Sequence, residues 1–565
     1  MRFLIAAALF MISVFLLLAG LAQRTIWAPS LEIRQSVQAD MSSALIVIPN
    51  SVLNSHPGIP QIQVKAAGQI FMANARESDI KAWIGDSEYL LAVADEKTHK
   101  LSLQRISGLK NSGSPVASDL WRTERTAQAS GELKLNPALD GAGLLASDGS
   151  ASAPQSFDLV WRQTVNQYWS NLLLISGAVL LLAAIVLNTI AYNIMRRKRG
   201  PRRRTPSAPK PPRYRPKKKA NLAPVKGRRS ARRAKIALPA SITVLALLTG
   251  CAPADSQSPS PSPSVSAADV PPAAVTYSQI KRILADVAQV AADADLTSDK
   301  KILKFRFAGP ALEQRTAHYV LRTRSTKIEA LPKIVAKPIS FSLPSATAGW
   351  PRVIMAVTDE PGAALPQMLV LEQQTPRSPY LLWYNIRLMP GSTLPEMPAT
   401  SVGAVPVEPN SLFLKMQPKD VPVAYGDVIN QGASSLSSAL FDLSKDEFYK
   451  QVSASQQAQV ANLKTAKIKF VHSLGDPNVV SLATSNAGAL VAVYMDDTYT
   501  IRPKKRGSAV AVSGQEKIML GASGSTTGVR SIYGDMLLFY VPALSDKSQV
   551  KLLGATQGLV SVRGL

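Results

Sequence analysis

The stretch YWSNLLLISGAVLLLAAIVLNTIAYNIMRRKR, residues 168–199, decides the architecture. Its apolar core runs from Leu172 to Leu187 and extends to about Ile194. A helix of about 20 such residues crosses the hydrocarbon layer of a bilayer. Tyr168 and Trp169 precede the core and Tyr192 sits near its end, where interfacial aromatics belong. Arg196-Arg197-Lys198-Arg199 follow at once, and the positive-inside rule puts that end in the cytoplasm. A buried helix of a soluble protein is the bland alternative, but the aromatic belt and the block of cations argue against it.

On the C-terminal side, residues 196–235 hold 19 Lys or Arg and no Asp or Glu. The formal charge of the chain is +26; without these 19 cations it falls to +7. The basicity is therefore one local feature and not a basic domain face. Prolines at 201, 206, 209, 211, 212, 216 and 224, together with the self-repelling charge, predict a disordered cytoplasmic loop. Such a loop fixes topology and touches anionic lipid. Tyr214 is the one aromatic among the cations, so base stacking and nucleic-acid binding are not expected.

Ile236 to Leu248 is a third apolar stretch, short and carrying Pro239. It ends in Leu248-Thr249-Gly250-Cys251, the lipobox pattern, behind a basic flank (Arg228, Arg229, Arg232, Arg233, Lys235). The length suits a signal-peptide core better than a permanent span. Cys251 is the only cysteine, which rules out an intramolecular disulfide and fits lipidation. Alternating Ser and Pro from 258 to 264, then Pro271 and Pro272, predict an extended stalk. At the other end, Phe3 to Ala22 forms a further span, either a retained anchor or a cleaved signal; its length favours the anchor.

A membrane-anchored multidomain chain follows. Residues 1–27 are an N-terminal anchor or signal, 28–168 an outer β-rich domain, and 169–195 a transmembrane helix. The basic loop takes 196–235, the third apolar segment with its lipobox 236–251, the stalk 252–272, and an outer α+β domain 273–565. In the first outer domain Gln61–Lys65 and Phe157–Trp161 alternate polar and apolar, while Ala44–Ile48 and Ile70–Ala73 are short apolar runs bounded by Pro49 or Gly68. This predicts a small β-sandwich with a helix over Glu77–Ile84. In the second, Tyr277, Ile280, Ile283, Leu284, Val287 and Val290 share a helical face, and a helix follows over Ala311–Arg322. Strands are expected at Val353–Val357, Met368–Leu371 and Tyr380–Leu388. The order then repeats with a helix near Lys445–Lys464 and strands at Leu490–Met495, Ile518–Leu520 and Met536–Val541. Two similar helix-then-sheet units, cone-like in the manner of the nuclear-transport-factor-like fold, are the expectation.

Chemistry is harder to find. His56, His99, His318 and His472 show no metal-ligand spacing, which points away from a zinc site. Tyr494-Met495-Asp496-Asp497 resembles a polymerase motif, but no other part of that machinery accompanies it, so a strand ending in a polar turn is the expectation. Gly521–Gly528 lacks a phosphate-loop ending and reads as a hairpin loop; Gly85-Asp86-Ser87 reads as a turn. No catalytic, cofactor or metal residue is assigned. The one modification site is Cys251, with Leu248, Thr249 and Gly250 as its recognition sequence.

Three further segments carry a resemblance. These are Val52-Leu53-Asn54-Ser55-His56-Pro57-Gly58, Ser118-Asp119-Leu120-Trp121 and Ala146-Ser147-Asp148-Gly149. With the lipobox, they make the chain similar to a group of uncharacterised actinobacterial membrane proteins. Those proteins pair an outer β domain and a span with a lipoprotein-like domain of unknown function. The resemblance implies an actinobacterial cell membrane and no known activity. Some of those relatives are labelled glycosyltransferase-like, yet no sugar-nucleotide site is visible here. The sequence thus points to a multi-pass membrane lipoprotein with a non-enzymatic binding or scaffolding role on the outer face of the cytoplasmic membrane. Its expected partners are membrane lipids and cell-wall or envelope proteins. The alternative is an envelope enzyme acting on cell-wall glycan or lipid-linked sugar.

Overall fold

The computed structural model describes residues 2–28, 31–95, 100–110, 113–138, 140–162, 168–198, 271–359 and 365–565. The basic loop, the third apolar segment, Cys251 with its lipobox, the stalk up to 270, and His99 lie outside the described residues. The chain divides into two compact units, one holding the apolar helices and the other both globular domains.

In the first unit, α1 (Arg2–Arg24) is, among the described residues, one of two helices long and apolar enough to cross a membrane. The other, α4 (Tyr168–Lys198), packs antiparallel to it. Glycines set the spacing. A Cβ on Gly20 would stand 2.9 Å from Leu174 Cγ, and one on Gly177 would stand 2.9 Å from Leu17 Cγ. Small residues at reciprocal positions let apolar helices approach closely without water to drive them together. Arg24 donates to Ser170 Oγ and Asn171 Oδ1 at the end of the pair.

The β-rich domain begins the second unit. Its elements are β1 (Glu32–Gln38), β2 (Leu45–Ile48), α2 (Asn50–Leu53), β3 (Ile59–Arg76), α3 (Glu77–Ile84), β4 (Tyr89–Ala94), β5 (Leu101–Ile106), β6 (Thr123–Lys134), β7 (Gly141–Ala146) and β8 (Ser156–Arg162). The expected sandwich is not what forms. All eight strands belong to one sheet, in the order β1-β8-β3-β7-β2-β4-β5 with β6 on the free side of β3. The physical reason is Gly68. A glycine there suggests a break between two strands, but its positive φ of 103° sits at a register shift inside one 18-residue strand. The bend lets β3 pair with β8 along its first half and β7 along its second. One core lies inside the curled sheet and includes Ile46, Ile62, Met72, Phe157 and Trp161. The alternate residues Leu45, Val47, Phe71 and Leu144 face outward against α3 and Trp121. Both faces are therefore covered, and β2 reads as a continuous apolar run.

The α+β domain runs the order helix-then-sheet twice. α5 (Tyr277–Thr297), α6 (Lys300–Leu303) and α7 (Gly309–Arg324) precede a four-stranded antiparallel sheet of β9 (Ile339–Pro344), β10 (Arg352–Thr358), β11 (Gln367–Gln373) and β12 (Leu381–Arg387). α8 (Val421–Gln431) and α9 (Glu447–Asn462) precede a second such sheet of β13 (Ala466–Ala483), β14 (Ala489–Pro503), β17 (Val529–Val541) and β18 (Lys551–Gly564). Between β14 and β17 lie β15 (Val510–Ala511), α10 (Gly514–Leu520) and β16 (Gly524–Ser525). The strand expected at Ile518–Leu520 is thus the end of a helix, because a three-residue apolar run carries no period.

α5 is started by a capping box in which Thr276 and Gln279 satisfy each other's backbone N–H groups. Its Ile280, Ile283, Leu284 and Val287 are buried as the periodicity predicts, whereas Tyr277 lies half exposed at the helix start. The two sheets share one core. Met355, Leu369 and Tyr384 from the first meet Leu490, Ala492, Tyr494 and Leu538 from the second. The opposite face of the second sheet, through Val491, Val493, Met495, Leu537 and Phe539, is covered by Val421, Tyr425 and Val428 of α8.

Candidate functional site

Two places concentrate buried polar chemistry: the boundary between the globular domains, and the face of the second α+β sheet beneath α8.

At the boundary, Asp119 is a hub. Its carboxylate accepts from Arg306 Nη1 (2.5 Å) and Nη2 (3.2 Å) and from the Tyr380 backbone N–H (2.7 Å). Its carbonyl accepts from Gln279 Nε2 at 3.0 Å, and Arg282 donates to the Trp121 carbonyl at 2.7 Å. The segment Ser118-Asp119-Leu120-Trp121 therefore lies against α5 and the start of β12. A second buried group joins Arg76, Asp79 and Arg352. Asp79 takes Arg76 Nε at 2.9 Å on one oxygen and Arg352 Nη2 at 2.7 Å on the other. Arg76 also donates to the Ala274 carbonyl at 3.0 Å, and Arg352 stacks on Trp350. Arg377 completes the contact by donating to the Trp83 and Ile84 carbonyls at 2.7 and 2.9 Å. Both carbonyls stand at the C-terminal end of α3, where a cation is favoured, and that of Ile84 also accepts the Ser87 N–H. Removing one partner from such buried pairs costs about 3–5 kcal/mol, so the two domains are held in register as one body.

Beneath α8, antiparallel pairing of β13, β14 and β17 brings His472, Asp497 and Asp535 together. All three side chains are fully buried. Asn430 of α8 fixes the imidazole. Its Nδ2 donates to the His472 carbonyl (3.0 Å) and its Oδ1 accepts from the His472 backbone N–H (2.9 Å), so that oxygen also faces Nδ1 at 3.1 Å. An amide oxygen only accepts, so Nδ1 carries the proton. Nε2 then faces Asp497 Oδ1 at 3.1 Å. Neither of those atoms has a well-aligned hydrogen bond, and neither do the two oxygens of Asp535. Burial, then the neighbouring Asp497 charge, pushes the Asp535 carboxyl well above the usual range. Gln557 Nε2 approaches Asp497 Oδ2 at 3.4 Å. Gly426 lets α8 come this close, since a Cβ there would stand 3.1 Å from the His472 carbonyl.

The family model for a domain of unknown function, DUF8094, matches residues 271–564. The chain belongs to that family. No curated protein and no solved structure matches the chain. The DUF8094 region takes in both α+β sheets, the buried His–Asp–Asp cluster and the C-terminal side of every boundary contact above.

Several features read from the sequence find other roles. Asp496 and Asp497 do not end a strand in a turn; both lie inside β14, and because neighbouring side chains alternate they face opposite sides of the sheet. His318 sits on α7 with Nε2 at 2.9 Å from the Glu329 carbonyl, and His56 packs edge-on against Trp161. Gly85-Asp86-Ser87 is a turn whose Ser87 hydroxyl accepts from Arg377. Among the resemblance segments, 118–121 forms the domain boundary, and Asp148 accepts the Ser150 and Ala151 N–H groups in a tight turn. The boundary partners are far apart in sequence and carry no local signal. The cluster did leave one: Asp497 and Asp535 each put a charge on a largely apolar face of their strands.

Proposed function

We propose that this DUF8094 protein is a membrane lipoprotein of the cell envelope whose two globular domains act together, as one binding or scaffolding body, on the outer face of the cytoplasmic membrane. The observation that carries this is the domain boundary. If α1 and α4 both cross the membrane, residues 31–162 lie on one side and the chain leaves α4 on the other. Asp119–Arg306, Asp79–Arg352 and the Arg377 contacts support putting residues 271–565 on the same side as residues 31–162. On this reading the chain crosses back within 199–270. Ile236–Leu248 is the apolar stretch there, and it leads directly to Cys251. The same logic holds if α1 is a cleaved signal. Lipidation of Cys251 would hold the DUF8094 domain without a third span, since each buried CH₂ contributes about 0.8 kcal/mol.

A contact role is supported by Leu412, Phe413 and Leu544. They are exposed by 71%, 84% and 65%, and Leu544 N–H bonds the Phe413 carbonyl, so they form one apolar edge in solvent. Affinity isolation through a C-terminal tag from solubilised membranes tests the proposal. A diacylglyceryl group on Cys251 and co-recovery of fragment 1–250 are expected. A full-length chain with unmodified Cys251 would count against the lipoprotein reading, and loss of fragment 1–250 after cleavage would count against the single body.

A further inference from the structure

We propose that His472, Asp497 and Asp535 bind one divalent transition-metal ion of the zinc class, as a structural centre that ties α8 to the second sheet of the DUF8094 domain. Three of the four ligands that zinc takes come from this chain's own buried side chains. Nε2 of His472 and one oxygen from each aspartate lie within 4.8 Å of one another, close enough to share an ion. With Nδ1 protonated and held by Asn430, the Nε2 lone pair points at Asp497 Oδ1 at 3.1 Å. Two lone pairs facing each other at that distance need a proton or a cation between them. Anchoring one imidazole nitrogen by a hydrogen bond while the other ligates is the usual second-layer arrangement of a metal-binding histidine.

Charge points the same way. Two carboxylates without exposure to water are costly, and a dication makes them neutral together. Both Asp535 oxygens are buried without a well-aligned hydrogen bond, with Gln557 the one side-chain donor near enough to contribute. One nitrogen and two carboxylate oxygens suit zinc, which takes imidazole at about 2.0–2.1 Å and carboxylate oxygen at about 2.0–2.2 Å. Gln557, already 3.4 Å from Asp497, is placed beside the fourth position. Complete burial makes this a structural site with no open coordination position for substrate.

The full chain, purified in detergent from cells grown with added zinc chloride, tests the proposal through its metal content. About one equivalent of zinc per chain is expected, with a melting temperature that falls on prolonged chelation and recovers on adding zinc chloride. Asp535→Asn and His472→Gln should each abolish the bound zinc. Asp496→Asn, on the opposite face of β14, should keep it and controls for folding. If the three groups instead neutralise one another with protons, the wild-type chain will hold less than about a tenth of an equivalent and ignore the chelator. That result, or full zinc content in Asp535→Asn, would overturn the proposal whatever the variants do to folding. The outcome is independent of membrane topology.

Discussion

Replacing Asp119 by alanine should be among the most damaging single changes at the domain boundary. The carboxylate is 2% exposed and holds three hydrogen bonds, two from Arg306 and one from the Tyr380 N–H. Without it, Arg306 keeps Asp286, whose side chain is half exposed, and a long contact to the Tyr380 carbonyl at 3.4 Å, while the Tyr380 N–H loses its partner. Breaking a buried pair from one side costs about 3–5 kcal/mol. Asp119→Asn should cost less, since an amide oxygen still accepts from Tyr380 while the ionic part is lost. The control is Asp158→Ala, which breaks an exposed pair with Arg34 and should cost about 0–1 kcal/mol. Urea unfolding of the full chain in detergent, followed by tryptophan emission, reports on the right place, because Trp83 and Trp121 lie 5.6 Å apart beside the boundary. If Asp119→Ala costs no more than Asp158→Ala, the boundary is not the load on the fold described here.

Other consequences are smaller. Thr276→Ala removes the side-chain half of the α5 capping box and should cost about 0.5–2 kcal/mol in the same unfolding assay, with Thr276→Ser close to wild type. Burial holds the His318 imidazole below its ordinary value of 6.5, so the unfolded chain takes up that proton first. The stabilisation is present above the unfolded value and is lost as pH falls through the folded one. Between pH 7.5 and 5 the stability of His318→Gln should therefore fall less steeply than that of wild type; parallel profiles would contradict the assignment. Phe413→Ser, at a side chain 84% exposed, should leave stability within about 0.5 kcal/mol while weakening recovery of any bound envelope partner.

Local pattern carried much of the fold. α3, α7 and strands β10–β12 fall where periodicity puts them, because each has an apolar stripe or run with clear ends; α9 also lies where it is expected, although only Phe448 and Val452 of it are buried. Bent strands are harder to read from local pattern. Gly68 in β3 and Gly475-Asp476-Pro477 in β13 look like turns, but the structure absorbs both as register shifts within 18-residue strands. Joining β3 into one strand is what turns the expected sandwich into a single curled sheet. The His–Asp–Asp cluster escaped for a related reason. His472 and Asp497 become neighbours only through the register of β13 on β14, so linear spacing between ligands is uninformative. The boundary is invisible too, although Ser118–Trp121 is one of the segments that carry the resemblance.

The most direct test of the central claim is the sidedness of three single cysteines in a Cys251→Ala background, labelled on intact cells with a membrane-impermeant maleimide. Lys65 and Leu436 are exposed sites, one in each globular domain, and Ser207 lies in the basic loop. Lys65→Cys and Leu436→Cys should both react on intact cells, and Ser207→Cys only after permeabilisation. Reaction of Ser207→Cys in intact cells, or labelling of Lys65→Cys and Leu436→Cys from opposite sides, would contradict a single two-domain body on the outer face.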